Sequence, residues 1–449
     1  MRGGLIAGVA VGLFLLVPAA AMAASINVTT AADEFNSPVG GRCSLREAIW
    51  SANNDSGAQV SGCAVGSGND TITVPAGTYR LTRSGADENA DVSGDLDITS
   101  QLTVVHSGIS PATIDSNVSD RVFDITPSGA AILDGLSITG GDATGDRGGG
   151  IFNRGNLTVR NSVIYGNRAT YGGGVRAEGT GGAFIVNSTI ANNDADEDGG
   201  GVDAETPGTV SLNSVTVSGN AADADRNGGG SGGGASAASI GLGGVITLRN
   251  TLLAKNVDNG GEAPDCVELG GTITSQGHSL IGDSTGCSYT AGTGDIANRN
   301  PHLLGLINNG GPTLTRAVKK TSPALDKGAG CPSTDQRGVL RKLGGRCEIG
   351  AWELVRCSGV VVNRIGTNAA DRLRGTGSAD GFLGLGGGDL LQGLGGNDGF
   401  CGGSGADRIE GGDGNDAMDG GSGRDTCIGG PGKNTAKSCE LPKRKRQRA

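Results

Sequence analysis

Between Leu102 and Cys287 apolar and polar residues alternate in short bursts that recur along the chain. The segments LTVRNSVIYGN, AFIVNSTIANN, VSLNSVTVSGN and ITLRNTLLAKN align on Asn161, Asn187, Asn213 and Asn250, at intervals of 26, 26 and 37 residues. A second asparagine follows in each, at Asn167, Asn193, Asn220 and Asn256, and ILDGLSITGG is an earlier copy with Asp134 in the first slot. Period-two alternation on both sides of an asparagine predicts strand, turn, strand in every copy. Glycine triplets, such as Gly172-Gly173-Gly174 and Gly199-Gly200-Gly201, separate the copies.

Short strands at a period near 26 predict an all-β chain whose main body is a right-handed parallel β-helix, each turn pairing with the next and asparagines stacking at a corner. About seven turns at ~4.8 Å spacing predict a rod on the order of 35 Å long. Leucine-rich repeats share the length, but their L-x-x-L-x-L frame is missing.

The open ends of a solenoid need covering. In CSLREAIWSAN, Leu45, Ala48, Ile49 and Ala52 share one helical face, and Ser44 with Glu47 has capping-box spacing. A short helix is therefore expected as the N-terminal lid, followed by strand-like DTITVPAGTYRLT. The less regular stretch from Asn300 to Leu354 is the expected C-terminal lid.

The pattern then changes period. In nines from Gly366 the chain reads GTNAADRLR, GTGSADGFL, GLGGGDLLQ, GLGGNDGFC, GGSGADRIE, GGDGNDAMD, GGSGRDTCI and GGPGKNTAK. The sixth position is Asp371, Asp380, Asp389, Asp398, Asp407, Asp416, Asp425 and finally Asn434; the eighth is apolar, from Leu373 to Ala436. Each nonapeptide reads as a six-residue turn and a three-residue strand with one side chain inward, two nonapeptides making an 18-residue coil. Glycine permits the tight turn. An oxygen-only cage with carboxylates from stacked turns suits Ca²⁺. Without the ion these carboxylates repel one another, so folding is expected to wait for calcium.

Composition narrows the setting. Of 449 residues 87 are glycine and 3% are aromatic, which favours thin repetitive layers over a conventional core. Arg2, the apolar run from Leu5 to Val17 and Ala21-Met22-Ala23 read as an export leader, and nothing later approaches a membrane span. Ten cysteines without a CxxC predict disulfides: Cys43 with Cys63, Cys266 with Cys287, and Cys331 with Cys347, the pairing of Cys357, Cys401, Cys427 and Cys439 staying open. A formal charge of −10 argues against nucleic acid as a partner. The tail KRKRQRA reads as a solvated terminus, with an anionic surface polymer or lipid as the alternative partner.

Enzyme chemistry has one candidate locus. Asp142, Asp146, Asp194, Asp196, Asp198, Asp223 and Asp225, with Arg147, Arg168 and Arg226, would stack into an acidic stripe. Paired carboxylates can hydrolyse a glycosidic bond, and a carboxylate-held calcium beside a basic group can support lyase chemistry. The other reading, which is preferred, is solvated loop charge that discourages edge pairing. His106, His278 and His302 are spread apart and read as structural, and no HExxH, GxSxG or P-loop occurs.

CSLREAI resembles the motif of exported bacterial CSLREA-domain proteins, and Asn300 to Glu353 resembles the choice-of-anchor region of similar β-helix proteins. The nonapeptides resemble GGxGxDxUx RTX repeats, which implies a calcium-binding parallel β-roll. That resemblance implies ions shared by Asp380 and Asp398, Asp389 and Asp407, Asp398 and Asp416, and Asp407 and Asp425. The expected order is leader (1–23), cap and CSLREA region (24–100), β-helix (101–297), closing region (298–356), RTX roll (357–440) and basic tail (441–449). The functional expectation is a secreted or cell-surface bacterial protein that binds Ca²⁺ and extracellular or cell-wall polysaccharide. It would be an adhesion, binding or structural module; the alternative is a polysaccharide lyase or glycoside hydrolase using the stripe.

Overall fold

The computed structural model describes residues 23–35, 41–56, 60, 62–85, 90–106, 108–207, 209–238, 243–341 and 346–440. The leader and the basic tail expected from the sequence fall outside these residues, apart from Ala23.

Alternation sets the ladder. In Asn156–Arg160, Leu157 and Val159 are buried while Thr158 and Arg160 face outward. Leu157 stands opposite Ala131 and Ala183, and Val159 opposite Leu133 and Ile185, so the 26-residue period becomes one coil. The resulting parallel β-helix has two nine-stranded sheets, Ser25–Asn27 to Thr272–Ser275 and Gly77–Leu81 to Ile296–Ala297, and a seven-stranded sheet from Leu96–Ile98 to Cys266–Leu269. A five-stranded sheet from Asp142–Arg147 to Val257–Asp258 fills the fourth side. Each inward aliphatic side chain that is fully buried contributes about 1.5–3 kcal/mol of transfer free energy. The 37-residue interval keeps register, Val210 pairing with Ile246, because the extra residues go into loops.

The ladder has more strands than the seven turns expected, because it takes in strands N-terminal of residue 101: Ser25–Asn27, Asp70–Thr73, Gly77–Leu81 and Leu96–Ile98. The helix Leu45–Asn54 lies between the first two of these in the chain. Its capping box is formed, Ser44 Oγ accepting from Glu47 N–H and Glu47 from the Ser44 N–H, and Leu45, Ala48, Ile49 and Ala52 join the solenoid core. Arg46, on the other face, is also buried. It pairs with Asp33 at 2.7 Å and donates to the carbonyls of Ser93, Gly94 and Asp95.

The two asparagine columns divide the work. Asn167, Asn193, Asn220 and Asn256 form a buried ladder, each Nδ2 donating at 2.9 Å to the next Oδ1 and the last to Asp265. Asn161, Asn187 and Asn250 take left-handed φ of 53°, 46° and 48°; at the third copy that role passes to Ser214 at 57°. This column meets the Asn300 to Leu354 stretch: Asn187 donates to Thr334 O, and Asn250 exchanges two bonds with Ala329. Ile349, Trp352 and Ala324 pack there against Leu252 and Leu280. The expected C-terminal lid is thus a flank running along several coils, bonded to the Asn187 and Asn250 amides and to the Asn161 carbonyl on that side. The glycine triplets allow close backbone stacking; a Cβ on Gly173 would lie 2.3 Å from Asp194 O.

The nonapeptides form two parallel sheets, Arg364–Ile365 to Thr435–Lys437 and Arg372–Arg374 to Thr426–Ile428, with partners 18 residues apart, as Leu391 with Ile409. The middle strands reach six residues rather than three, since the opening glycines of the next repeat continue the pairing. Leu373, Phe382, Leu391, Phe400, Ile409, Met418 and Cys427 fill the core, and the Phe382 and Phe400 rings stack at 4.5 Å. Ala436 is exposed. The three expected disulfides form, and the remaining cysteines pair as Cys357–Cys401 and Cys427–Cys439.

Candidate metal centre

Each aspartate of the nonapeptides sits at the end of its turn where successive coils stack, half-buried at Asp371 and buried from Asp380 to Asp425. Asp389 Oδ1 accepts the Asp371 N–H at 2.9 Å, Asp407 Oδ1 that of Asp389, and Asp425 Oδ1 that of Asp407. On the opposite side Asp398 accepts from Asp380, Asp416 from Asp398, and Asn434 from Asp416. The 18-residue ladder therefore brings the aspartates into two columns.

The second oxygens are the informative ones. Oδ2 of Asp389, Asp398, Asp407, Asp416 and Asp425 is buried with no hydrogen-bond partner. A buried carboxylate oxygen left this way costs several kcal/mol unless a charge answers it. Burial pushes the Asp389 and Asp398 carboxyls up to about 6, and the stacked carboxylates Asp407 and Asp416 add to it against the hydrogen bonds that lower them. Burial raises Asp407 and Asp416 too. Glycine at the first position makes room, since a Cβ on Gly393 or Gly402 would come within 2.2 and 2.4 Å of the Asp398 and Asp407 Oδ2 atoms. Negative, oxygen-only, buried and lacking donors, the arrangement fits a hard cation of calcium type.

Asp380 departs from that set. Its Oδ2 accepts from the N–H and Oγ1 of Thr376 at 2.6 and 2.8 Å, and its Oδ1 from Asn363 Nδ2 and the Arg364 guanidinium. Protein donors thus reach both Asp380 oxygens in this geometry, which sets it apart from the five aspartates whose Oδ2 has none.

The acidic stripe does not converge. Asp146 pairs with Arg121, Asp196 with Arg168 at 2.5 Å, and Arg147 with Glu178. Asp198 accepts the Ser231 N–H, Asp223 that of Gly228, Asp225 that of Asn227 and Asp142 that of Thr144. Asp142, Arg168 and Asp194 stand in one register, so opposite charges alternate along the sheet. The His106 ring lies between the Val74 and Ser110 carbonyls at 2.8 Å, His278 meets Lys327 O, and His302 meets Thr321 Oγ1.

The alternation pattern alone does not reveal a second acidic group. Carboxylate oxygens of Asp95, Asp97 and Asp124 lie within 4.8 Å of one another, all three residues buried. Arg121 reaches Asp95 at 3.6 Å and Asp124 at 3.2 Å, and Arg154 reaches Asp124 at 2.6 Å. Burial, then the charges of Asp97 and Asp120, holds the Asp95 carboxyl well above its ordinary range. The only sequence signal is that Asp97 and Asp124 are both outward positions at paired register.

Along the outer face of the sheet from Ser25–Asn27 to Thr272–Ser275 runs a groove of about 380 Å³. Thr103, Thr158, Asn156, Gln101 and Ser211 line it beside Phe184, which is 42% exposed.

Comparison with known proteins places the roll. The RTX calcium-binding nonapeptide repeat family matches residues 402–436 in four copies, a span that holds Asp407, Asp416, Asp425 and Asn434. These are RTX calcium-binding repeats. Among solved structures the chain is similar to one titled "Crystal structure of pectate lyase Pel9A", at 13% identity and a TM-score of 0.41, covering 74% of this chain and 97% of that one. No curated protein matches the chain.

Proposed function

We propose that this is an exported protein whose C-terminal roll folds on calcium outside the cell, and whose solenoid binds an extracellular or cell-wall polysaccharide. The observation that carries the calcium part is the set of five buried Oδ2 atoms without donors, in register on two columns. Asp389, Asp407 and Asp425 would hold ions on one side, Asp398 and Asp416 on the other. A bound calcium ion supplies positive charge to oxygens that the chain leaves without a donor. The chain's own part is to fix each carboxylate through Oδ1 to the neighbouring coil's backbone and to keep a Cβ-free space beside Oδ2.

Five disulfides among the described residues support an oxidising compartment. The low calcium of a cytoplasm would leave the roll unfolded until export. Polysaccharide is favoured as ligand by the groove's amides and hydroxyls beside an exposed phenyl face, Asp70 being the one carboxylate among its lining residues. The stripe carboxylates are held by arginines and loop N–H groups, so the lyase or hydrolase reading gains no support from their placement.

The test is incubation of the mature chain with cell-wall and plant polysaccharides, with calcium or with chelator, recording retention and shortening of each polymer. Retention without shortening, weakened by Phe184→Ala, is expected. Shortening abolished by Asp196→Ala/Asp198→Ala would replace this reading with an enzymatic one, and no retention of any polymer would remove the ligand claim.

A further inference from the structure

Position two of the nonapeptide separates the aspartates into two kinds. In the first two repeats it is Thr367 and Thr376; in the following five it is Leu385, Leu394, Gly403, Gly412 and Gly421. All five of the latter take left-handed φ, 73°, 76°, 111°, 101° and 92°, whereas neither threonine is among the positive-φ residues. A β-branched side chain resists that region, which glycine enters freely and leucine enters at a cost. The consequence is the direction of one N–H. Thr367 and Thr376 aim theirs at the carboxylate four residues on, at 2.5 and 2.6 Å, and add a hydroxyl at 2.9 and 2.8 Å. In the five left-handed repeats the Oδ2 has no hydrogen-bond partner.

The threonine-bearing coil is also fastened to the rest of the molecule. Asn363 bonds both the Asp380 carboxylate and the Gly381 N–H. Ile365 and Val362 share an apolar cluster with Val339 and Cys357, and Arg337 of the flanking segment donates to the Asn309 and Val362 carbonyls. Ile109, from the solenoid, packs on the roll core.

We propose that residues 366–383 are an ion-free seed: threonine donors take the place of calcium there, so this coil is folded before the ion arrives and templates the coils that need it. This rests on the reading of Asp389 to Asp425 as calcium ligands. Its edge offers a preformed ladder to the next coil, since the carbonyls of Asp371 and Asp380 accept from Leu390 and Gly399. Loading calcium then extends an existing structure and avoids the cost of nucleating a new one, which orders a whole coil before its contacts repay the lost entropy.

Hydrogen exchange by mass spectrometry on the full mature chain, in chelator and in calcium, tests it. In chelator the peptide 366–383 should exchange roughly a hundredfold more slowly than 402–428, and calcium should slow the latter. Equal fast exchange of both in chelator, with 402–428 still slowed by calcium, overturns the seed and leaves the calcium reading standing. Slow exchange of 402–428 in chelator overturns the calcium reading itself. As a second measurement, Thr376→Gly should raise bound calcium by about one ion per chain by elemental analysis and remove the protection of 366–383 in chelator, while Thr376→Ser changes neither. An unchanged ion count and unchanged protection in Thr376→Gly overturns the role given to the threonine.

Discussion

Asp407→Asn is the sharpest perturbation of the roll, because Asp407 stacks on Asp389 in one direction and on Asp425 in the other. Asparagine is nearly isosteric, and its Oδ1 can still accept the Asp389 N–H that Asp407 accepts at 2.9 Å, so the backbone ladder survives. What disappears is the charge that two neighbouring sites share. A site filled at about 100 times its Kd stabilises the folded state by about 2.7 kcal/mol, so loss of both removes about 5 kcal/mol of calcium-linked stability. The Asp398 and Asp416 pair on the other column stays intact. Denaturant unfolding followed by circular dichroism, in saturating calcium and in chelator, yields that quantity as a difference. Asp371→Asn is the control: its Oδ2 already accepts from Thr367, so its calcium-linked stability should stay within about 0.5 kcal/mol of the parent. A calcium-linked difference in Asp407→Asn equal to that of the parent, or a loss as large in Asp371→Asn, refutes the assignment of Oδ2 as the ligand atom.

Proton competition follows from the carboxyls of Asp389 and Asp398, held at about 6 in the ion-free roll chiefly by burial. These folded values exceed the unfolded ~3.9, so their contribution to the ion-free fold is complete below about pH 4 and lost as pH rises through about 6. Calcium must displace those protons, and calorimetric titration should show its affinity falling up to about tenfold per pH unit and carboxylate below about pH 6. In the solenoid, Asn193→Leu strands the Asn167 N–H and takes the side-chain donor from the Ile164 carbonyl, while Asn167 Nδ2 keeps the Ile138 and Tyr165 carbonyls and Asn220 Oδ1 keeps the backbone N–H of residue 193. At about 1–3 kcal/mol for a buried orphan, a loss of about 1–3 kcal/mol is expected in urea, with calcium making no difference. Cys357→Ser/Cys401→Ser opens a link that spans 44 residues between Cys357 and the roll strand Gly399–Ser404, worth about 4 kcal/mol in the chain-entropy model, and should raise the calcium midpoint seen by circular dichroism.

Much of this was legible because repeats report their own register. A strict nine-residue spacing stacks Asp389 on Asp407 whatever the flanking sequence, and a 26-residue spacing stacks Asn167 on Asn193. The local cysteine pairs and the Ser44 capping box are similarly short-range. Asp380 differs for a short-range reason of another sort: its register is that of the other aspartates, but the φ that Thr376 does not adopt decides whether a donor reaches the carboxylate. The flank and the buried charges were beyond reach because alternation says which residues face outward, and nothing about what then covers them. Arg46, Asp97 and Asp124 lie on faces that read as solvent and are buried by segments distant in the chain.

The two stacks differ by one atom per rung. In the solenoid the backbone N–H of Asn167 donates to the Asn193 Oδ1 of the next coil, and in the roll the N–H of Asp389 donates to the Asp407 Oδ1 in the same way. An asparagine also carries a donor, Nδ2, which reaches the next Oδ1, so the solenoid column satisfies itself without an ion. An ionised aspartate only accepts, so each rung from Asp389 to Asp425 adds a negative oxygen with no hydrogen-bond donor. The ends of the columns obey the same rule: Asn256 passes its Nδ2 proton to Asp265, whose other oxygen takes the Asp283 N–H, and Asn434 closes the Asp398 column by donating to Gly430 O. On the proposed calcium reading, exchanging an amide for a carboxylate at one position of a stacked repeat is what makes a self-satisfied column depend on a cation.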